Sequence, residues 1–222
     1  GVDLRAGKNL AGVFKQPLLV IADTASLTSV PDTEWRSGLA EVAKVAILSG
    51  HDQAAWTLAN ANALVAREAE AVRTAVLHAV SFKADVVAAD ERESSTREVL
   101  NYGHTLGHAI ECVAGYGAVP HGVAVAEGMR FAARLAERLE GTRLPVTELQ
   151  DRLLLALGIE RPSYPGDVAA LLGAMHADKK ARAGTVRFVL VPEPGVWRVE
   201  PVGDAALAAA LSAWVESDEE GG

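Results

Sequence analysis

The segment Asn101-Tyr-Gly-His-Thr-Leu-Gly-His-Ala-Ile-Glu111 says more about the fold than any other part of this sequence. It lies in a stretch from Val99 to Val113 whose apolar residues recur at helical spacing, so we expect a helix there. His104 and His108 are four positions apart and therefore share one face of that helix. Two imidazoles at this spacing can bind one metal ion, although two partly exposed polar residues on an amphipathic helix show the same pattern.

The surroundings of the two histidines favour a metal site. A glycine precedes each histidine, and glycine inside a helix costs about 1 kcal/mol relative to alanine, which indicates a close approach of backbone or ligand. His121 begins the next predicted helix and can fold back toward the pair. Glu41 lies in an otherwise apolar helix, where a carboxylate needs a partner. That partner is either a metal ion or Lys44, three positions later.

The remaining sequence indicates a mainly α-helical fold. A capping box at Ser29-Val-Pro-Asp32 predicts the start of a helix that ends near Ser49. Further helices are expected over residues 52–64, 68–89, 121–139, 146–157, 168–175 and 205–215, and an acidic disordered tail over residues 216–222.

A small amount of β structure is predicted near each end of the chain. Pro17 to Asp23 is a short apolar run that is typical of a buried strand. Near the end, Val186–Val191 and Val196–Pro201 flank a Pro-Glu-Pro-Gly sequence, which predicts a β-hairpin with Gly195 in its turn.

Composition narrows the classes of function. The chain has 222 residues, half of them hydrophobic, with a net charge of −8. That charge argues against nucleic acid and against an anionic membrane surface as the main partner. A single cysteine excludes an internal disulfide framework, and no apolar run is long enough to span a bilayer. These features predict a soluble, cytoplasmic protein.

An acidic protein that binds an anionic substrate must concentrate its few cations in one place. Six cations lie close to distinctive sequence features, which indicates an anion-binding surface beside the metal site, although each of them alone is typical of a solvated surface charge. They are Lys8, Lys44, Lys83, Arg97, Lys179 and Lys180.

Five segments, in this order along the chain, resemble the signatures of 3-dehydroquinate synthases. They are Gly7-Lys-Asn9, Gly38-Leu-Ala-Glu-Val-Ala-Lys44, the region from Arg97 to Glu111, His121-Gly-x-Ala-Val-Ala, and Asp178-Lys-Lys180. The resemblance implies the helical C-terminal metal and substrate domain of that fold, over residues 31–215, with residues 1–30 as a linker that contacts NAD. It also implies that the N-terminal α/β domain, which binds NAD in this family, is absent from this chain.

The resemblance implies Glu41, His104 and His121 as the metal ligands, with Zn²⁺ as the ion and Co²⁺ as an alternative. Three protein ligands with an open fourth position are typical of catalytic zinc. In the family His108 corresponds to an acid/base or hydrogen-bonding group beside the substrate. Helical spacing alone would instead place His104 and His108 on the same ion.

The resemblance also implies roles for residues around the metal. Lys83 and Arg97 correspond to positions that hold the substrate carboxylate, and Lys44 to a position near the substrate hydroxyls. Asn9, Asn101 and one lysine of the pair Lys179 and Lys180 correspond to positions near the substrate phosphate. Lys8 and the segment Ser26, Leu27, Thr28 and Ser29 correspond to positions that contact NAD.

The implied reaction is the NAD-dependent, phosphate-eliminating cyclisation of 3-deoxy-arabino-heptulosonate 7-phosphate to 3-dehydroquinate. It is a lyase step of the shikimate pathway, which leads to the aromatic amino acids. Because NAD carries the hydride chemistry, this part of the molecule alone should not turn over. Alternatives are another sugar-phosphate cyclase of the 2-deoxy-scyllo-inosose or valiolone type, a metal-dependent alcohol dehydrogenase, and a catalytically silent zinc-binding helical domain. The sequence leaves open whether this part forms a homodimer.

Overall fold

The structure is a computed structural model that describes residues 2–4, 7–13, 15–90, 96–180 and 185–219. Its helices follow the predicted order and cover most of the described residues, and short strands lie near the two ends. The helices are α1 (Asp32–Ser49), α2 (His51–Ala59), α3 (Ala61–Val65), α4 (Ala69–Ala89), α5 (His104–Ala114), α6 (His121–Glu140), α7 (Pro145–Ala156), α8 (Val168–Lys180) and α9 (Asp204–Glu219). The strands are β1 (Val2–Leu4), β2 (Gly7–Ala11), β3 (Arg187–Glu193) and β4 (Val196–Pro201), and two 3₁₀ helices span Thr24–Ser29 and Thr96–Asn101.

Helix α6 lies at the centre of the core and packs against α1, α5 and β3. Small residues allow its backbone to approach α5 very closely. A Cβ atom on Gly128 would lie 1.9 Å from the carbonyl oxygen of Gly103, and one on Gly107 would lie 3.1 Å from the carbonyl oxygen of Ala124. These contacts exclude larger side chains, so the glycines hold α5 directly against α6.

The predicted β-hairpin is present. Strands β3 and β4 pair antiparallel, and Gly195 turns the chain with φ of +83°, a conformation that favours glycine. Phe188 of β3 is buried with its ring centroid 5.7 Å from that of Phe131 in α6. The Gly195 N–H donates to the carbonyl of Ile47 over 2.9 Å, which ties the turn to α1.

The predicted buried strand from Pro17 to Asp23 is wrong. This run has no strand pairing within the described residues, and Leu18, Leu19 and Ile21 are exposed. The strands that the structure does describe form two separate antiparallel pairs, β1 with β2 and β3 with β4. An apolar run becomes a stable strand only when a neighbouring strand accepts its backbone hydrogen bonds, and no described strand lies beside this one.

Four helix boundaries also differ from the predictions. The capping box at Ser29 does not form, because the Ser29 hydroxyl donates to the carbonyl of Ser26 and Pro31 precedes α1. The helix expected from Val99 begins only at His104, because Gly103 has φ of +80° and interrupts it.

The other two differences concern α2 and α9. The helix expected over residues 52–64 is divided at Asn60 into α2 and α3. The tail expected to be disordered from Glu216 continues α9 to Glu219, and residues 220–222 lie outside the described part. Among the described residues, we find no helix that is both long and apolar enough to cross a membrane.

Candidate metal centre

Three helices bring the expected metal ligands together. Glu41 lies in the middle of α1, His104 is the first residue of α5, and His121 is the first residue of α6. A backbone contact fixes the start of α6 on α1, because the Gly122 N–H donates to the Ser37 hydroxyl over 2.7 Å. Ser37 lies one helical turn before Glu41, so this contact also places His121 beside Glu41.

The donor atoms of Glu41, His104 and His121 all lie within 4.8 Å of one another. The Nε2 atom of His104 is 3.8 Å from the Oε1 atom of Glu41, and the ring centroids of His104 and His121 are 5.4 Å apart. The Glu41 side chain is 40% exposed, but its Oε1 atom is buried and has no hydrogen-bond partner among the described residues. A buried carboxylate oxygen without a partner is costly, and a metal ion would satisfy it.

Both histidine rings are held through their Nδ1 atoms. His104 Nδ1 lies 3.2 Å from the backbone carbonyl of Tyr102, which can only accept a hydrogen bond. His121 Nδ1 lies 3.2 Å from Oε2 of Glu111, a buried carboxylate on α5. With the proton on Nδ1, each ring keeps a free lone pair on Nε2, which is the state that a metal-binding histidine requires.

The electrostatic environment keeps Glu41 and His104 in the protonation states that metal binding requires. Burial raises the pKa of Glu41, but Lys44, together with His104 and His121, lowers it, so that the net pKa lies below its ordinary value. Burial, followed by the positive charge of Lys44, lowers the pKa of His104 to about 3. Glu41 is therefore ionised and His104 neutral near pH 7, as metal coordination requires.

His108 lies next to the three donors without joining the same group. Its ring centroid is 5.3 Å from that of His104 and 6.0 Å from that of His121. Its donor atoms form a second group with Glu111 and His121, within 4.8 Å. Helical spacing therefore brings His104 and His108 close together, but Glu41 completes the first group with His121.

Lys44 is buried within the site. Its Nζ atom lies 2.7 Å from Oε2 of Glu41 and donates to the carbonyl of Leu100 over 2.8 Å. Burial is the largest influence on the pKa of Lys44 and lowers it, Glu41 opposes this effect, and Lys83 lowers the pKa further. One Glu41 oxygen thus pairs with Lys44, which is one of the two partners expected from the sequence, and the other oxygen faces His104.

Comparisons with known proteins identify the family of this chain. The family model described as 3-dehydroquinate synthase C-terminal matches residues 38–181, which include Glu41, His104 and His121. The chain belongs to the 3-dehydroquinate synthase family. It is 42% identical over 217 residues to the 3-dehydroquinate synthase of Acidithiobacillus ferrooxidans, a match that covers 97% of this chain and 60% of that protein. It is 38% identical over 213 residues to the enzyme of Halalkalibacterium halodurans, covering 96% of this chain and 59% of that protein.

Solved structures of sugar-phosphate cyclases share the fold. A 2-deoxy-scyllo-inosose synthase, complexed with carbaglucose-6-phosphate, NAD⁺ and Co²⁺, superposes with a TM-score of 0.79 at 26% identity. That match covers 94% of this chain and 60% of the other. A 2-epi-5-epi-valiolone synthase from Streptomyces hygroscopicus, with NAD⁺ and Zn²⁺ bound, gives a TM-score of 0.79 at 23% identity over 98% of this chain and 61% of the other, which supports the fold alone. The chain thus spans about 60% of the length of these relatives.

The structure describes only some of the other residues that were expected to contact the substrate or NAD. Lys83 is exposed on α4, close enough to Lys44 to affect its pKa. Arg97 and Asn101 lie in the 3₁₀ helix that leads into α5, and the backbone N–H of Arg97 donates to Oδ2 of Asp90 over 3.1 Å. The side chains expected near the phosphate and NAD that lie outside the described part are those of Lys8, Asn9, Lys179 and Lys180.

The segment from Ser26 to Ser29, expected to contact NAD, forms the 3₁₀ helix before α1. Its hydroxyl groups donate to backbone carbonyls of the same turn, for example Thr28 to Ala25 over 2.8 Å. Leu27 points into an apolar cavity of about 210 Å³ that Trp35 and Leu39 also line. The structure therefore places this segment beside α1, next to that cavity.

Sequence reasoning missed two residues that shape the site, Glu111 and Ser37. The sequence does contain a signal for Glu111, because a carboxylate in the apolar helix α5 needs a partner, as Glu41 does in α1. Ser37 offered no comparable signal, since its contact with Gly122 joins residues 85 positions apart.

Proposed function

We propose that this chain forms the metal- and substrate-binding part of an NAD-dependent 3-dehydroquinate synthase. The observation that carries the proposal is the convergence of Glu41, His104 and His121, with the Glu41 Oε1 atom buried and unpartnered among the described residues. The 42% identity to a curated 3-dehydroquinate synthase favours this substrate over those of the sibling cyclases. The cytoplasm is the expected location.

The donor set fits Zn²⁺, or Co²⁺ as a substitute, since one carboxylate and two neutral imidazoles leave an open position for substrate. When bound, such an ion acts as a Lewis acid that orients and polarises substrate oxygens, and NAD accepts and returns a hydride. We assign the metal to Glu41, His104 and His121. Contacts with NAD are assigned to Lys8 and the segment from Ser26 to Ser29 within the linker of residues 1–30.

The protein residues supply binding, orientation and charge. Lys44 holds Glu41 in its ionised form and lies where it can donate to a substrate hydroxyl. Lys83 and Arg97 are assigned to the substrate carboxylate, and His108 to proton transfer or hydrogen bonding beside the metal. The side chains assigned to the phosphate are those of Asn9, Asn101, Lys179 and Lys180.

The positions of two helix ends support an anionic substrate. His104 and His121 are the first residues of α5 and α6, so the positive ends of both helix dipoles point toward the same site. Together with Lys44 and Lys83, these ends favour a substrate that carries a phosphate and a carboxylate. These cations and helix ends lie together at one place in a chain whose net charge is negative.

Metal content tests the ligand set directly. We expect the purified chain to bind one equivalent of Zn²⁺ and to lose it in Glu41→Ala and in His121→Ala. His51→Ala is the matched control, because His51 is also the exposed first residue of a helix but belongs to neither donor group. Full zinc occupancy in both ligand variants would show that the assigned ligands are wrong.

An activity assay tests the proposed substrate. The N-terminal part of the Acidithiobacillus ferrooxidans enzyme, which this chain does not cover, would be supplied together with NAD and Zn²⁺. We expect 3-deoxy-arabino-heptulosonate 7-phosphate to yield 3-dehydroquinate and phosphate, and His121→Ala to abolish the product while His51→Ala retains it. Turnover of sedoheptulose 7-phosphate alone would contradict the assignment and indicate a valiolone-type cyclase. Lasting reduction of NAD by an alcohol would indicate a dehydrogenase.

A further inference from the structure

Glu111 is a buried carboxylate on α5 that none of the roles above uses. Its side chain is 5% exposed, and its Oε2 atom lies 3.2 Å from Nδ1 of His121. An ionised carboxylate is costly to bury, so its presence in an apolar helix indicates a specific interaction. The imidazole of His121 is one partner that the structure shows.

The two histidines of the proposed ligand set are oriented in different ways. The ring of His104 is held by the backbone carbonyl of Tyr102, which every sequence would provide. His121 is the first residue of α6, and its side chain is 44% exposed. The surrounding solvent therefore leaves its ring room to rotate. Within the described part of the chain, the Nδ1 atom of this ring is held by a side chain, that of Glu111.

We propose that Glu111 is a positioning residue that fixes the tautomer and the orientation of His121 for metal binding. The inference rests on the proposed function, since it assumes that His121 is a ligand. By accepting a hydrogen bond from the Nδ1–H group, the carboxylate keeps the proton on Nδ1 and the lone pair on Nε2, and it makes the imidazole a better metal ligand. Glu111 therefore raises the affinity for the metal without touching it.

The structure also offers a competing arrangement in which Glu111 is itself a ligand. The donor atoms of His108, Glu111 and His121 lie within 4.8 Å of one another. In that arrangement His121 would use the nitrogen that faces Glu111, and Glu41 would take no part. The unpartnered Oε1 atom of Glu41 among the described residues favours the first arrangement.

The test uses Glu111→Gln and Glu111→Ala in the 222-residue chain, with Zn²⁺ affinity from chelator competition and the visible spectrum of the Co²⁺-loaded protein as readouts. Loss of such an outer hydrogen bond commonly weakens metal binding by about 10–100-fold. We expect about 10-fold weaker binding for the glutamine variant, whose amide oxygen can still accept a hydrogen bond from the Nδ1–H group, and about 100-fold weaker binding for the alanine variant. The Co²⁺ bands should shift in both variants, because the ring of His121 changes its orientation.

Ile110→Val is the matched control, because Ile110 is the buried neighbour of Glu111 on the same helix. It should lower the melting temperature of the metal-free chain without changing Zn²⁺ affinity or the Co²⁺ spectrum. If that control shifts the spectrum as much as Glu111→Gln does, general loosening of α5 explains the effect and the inference is wrong.

The remaining outcomes separate the inference from the proposed function. If the unchanged chain binds no metal, both are overturned. If it binds metal and both Glu111 variants keep the same affinity and spectrum, the positioning role is wrong and the ligand set stands. If Glu111→Ala abolishes binding while Glu41→Ala retains it, Glu111 is a ligand, which overturns both the positioning role and the assigned ligand set.

Discussion

The segments from residues 101–111 and 17–23 place their apolar side chains in opposite environments. In the first, Leu106 and Ile110 are completely buried where α5 packs on α6. In the second, Leu18 and Ile21 are exposed. A helix satisfies its backbone hydrogen bonds internally and needs only one surface to cover its apolar face. A strand also needs a partner along its edge, so an apolar run alone does not secure it.

The largest effect that this comparison predicts is on stability. Leu106→Ala removes a fully buried side chain and should lower the free energy of unfolding by about 2–5 kcal/mol. Leu18→Ala, the same substitution at an exposed site, should change it by less than about 0.5 kcal/mol. Urea unfolding of both variants measures the difference. Equal losses would mean that residues 17–23 are buried in solution.

The next effect concerns the close contact that holds α5 on α6. Gly128→Ala places a methyl group 1.9 Å from the Gly103 carbonyl oxygen, so one helix must shift, at a cost of about 1–3 kcal/mol. Gly38→Ala is the matched control, since no described atom lies within 4 Å of the added Cβ in α1. That variant should gain up to about 1 kcal/mol from helix propensity. Urea unfolding should therefore show opposite signs, and a loss in both would contradict the close-contact explanation.

The same comparison explains which features could be predicted from sequence. The presence and order of the helices and of the hairpin at Gly195 follow from local periodicity and turn residues, and the structure has them. The ligand candidates Glu41, His104 and His121 were inferred from spacing, apolar surroundings and family resemblance, and the structure brings their donor atoms together.

What could not be predicted depends on contacts between distant parts of the chain. Gly103, whose φ of +80° breaks the helix before α5, packs against Gly128, and the start of α6 is fixed by Ser37, 85 positions earlier than Gly122. Neither contact leaves a periodic pattern in the sequence. The strand prediction for residues 17–23 is wrong for the same reason, since an apolar run forms a strand only where a partner strand lies beside it.

A smaller effect is expected at the contact between α1 and α6. Ser37→Ala leaves the Gly122 N–H without its acceptor at the start of α6, which should cost about 1 kcal/mol of stability. Since the contact also sets the distance between Glu41 and His121, Zn²⁺ affinity should fall as well. Ser49→Ala, at the exposed last residue of α1, is the control and should change neither quantity. Unchanged Zn²⁺ affinity in Ser37→Ala would show that the helix contact does not position the ligands.

The smallest effect is a pH dependence that residues 101–111 should impose on the metal-free chain. Burial lowers the pKa of His104 to about 3, so the folded state keeps this ring neutral while the unfolded state takes up a proton below pH 6.5. The unfolded state then binds more protons, so stability falls as the pH falls, by about 0.5–1 kcal/mol between pH 7 and pH 6. Unfolding by urea in the presence of a chelator, at several values between pH 7 and pH 5, measures this slope. This range lies above the pKa of an ordinary glutamate, so Glu41 does not contribute to it. His104→Gln removes the titrating group and should flatten the curve, and an unchanged slope in that variant would show that the ring of His104 is not held neutral by burial.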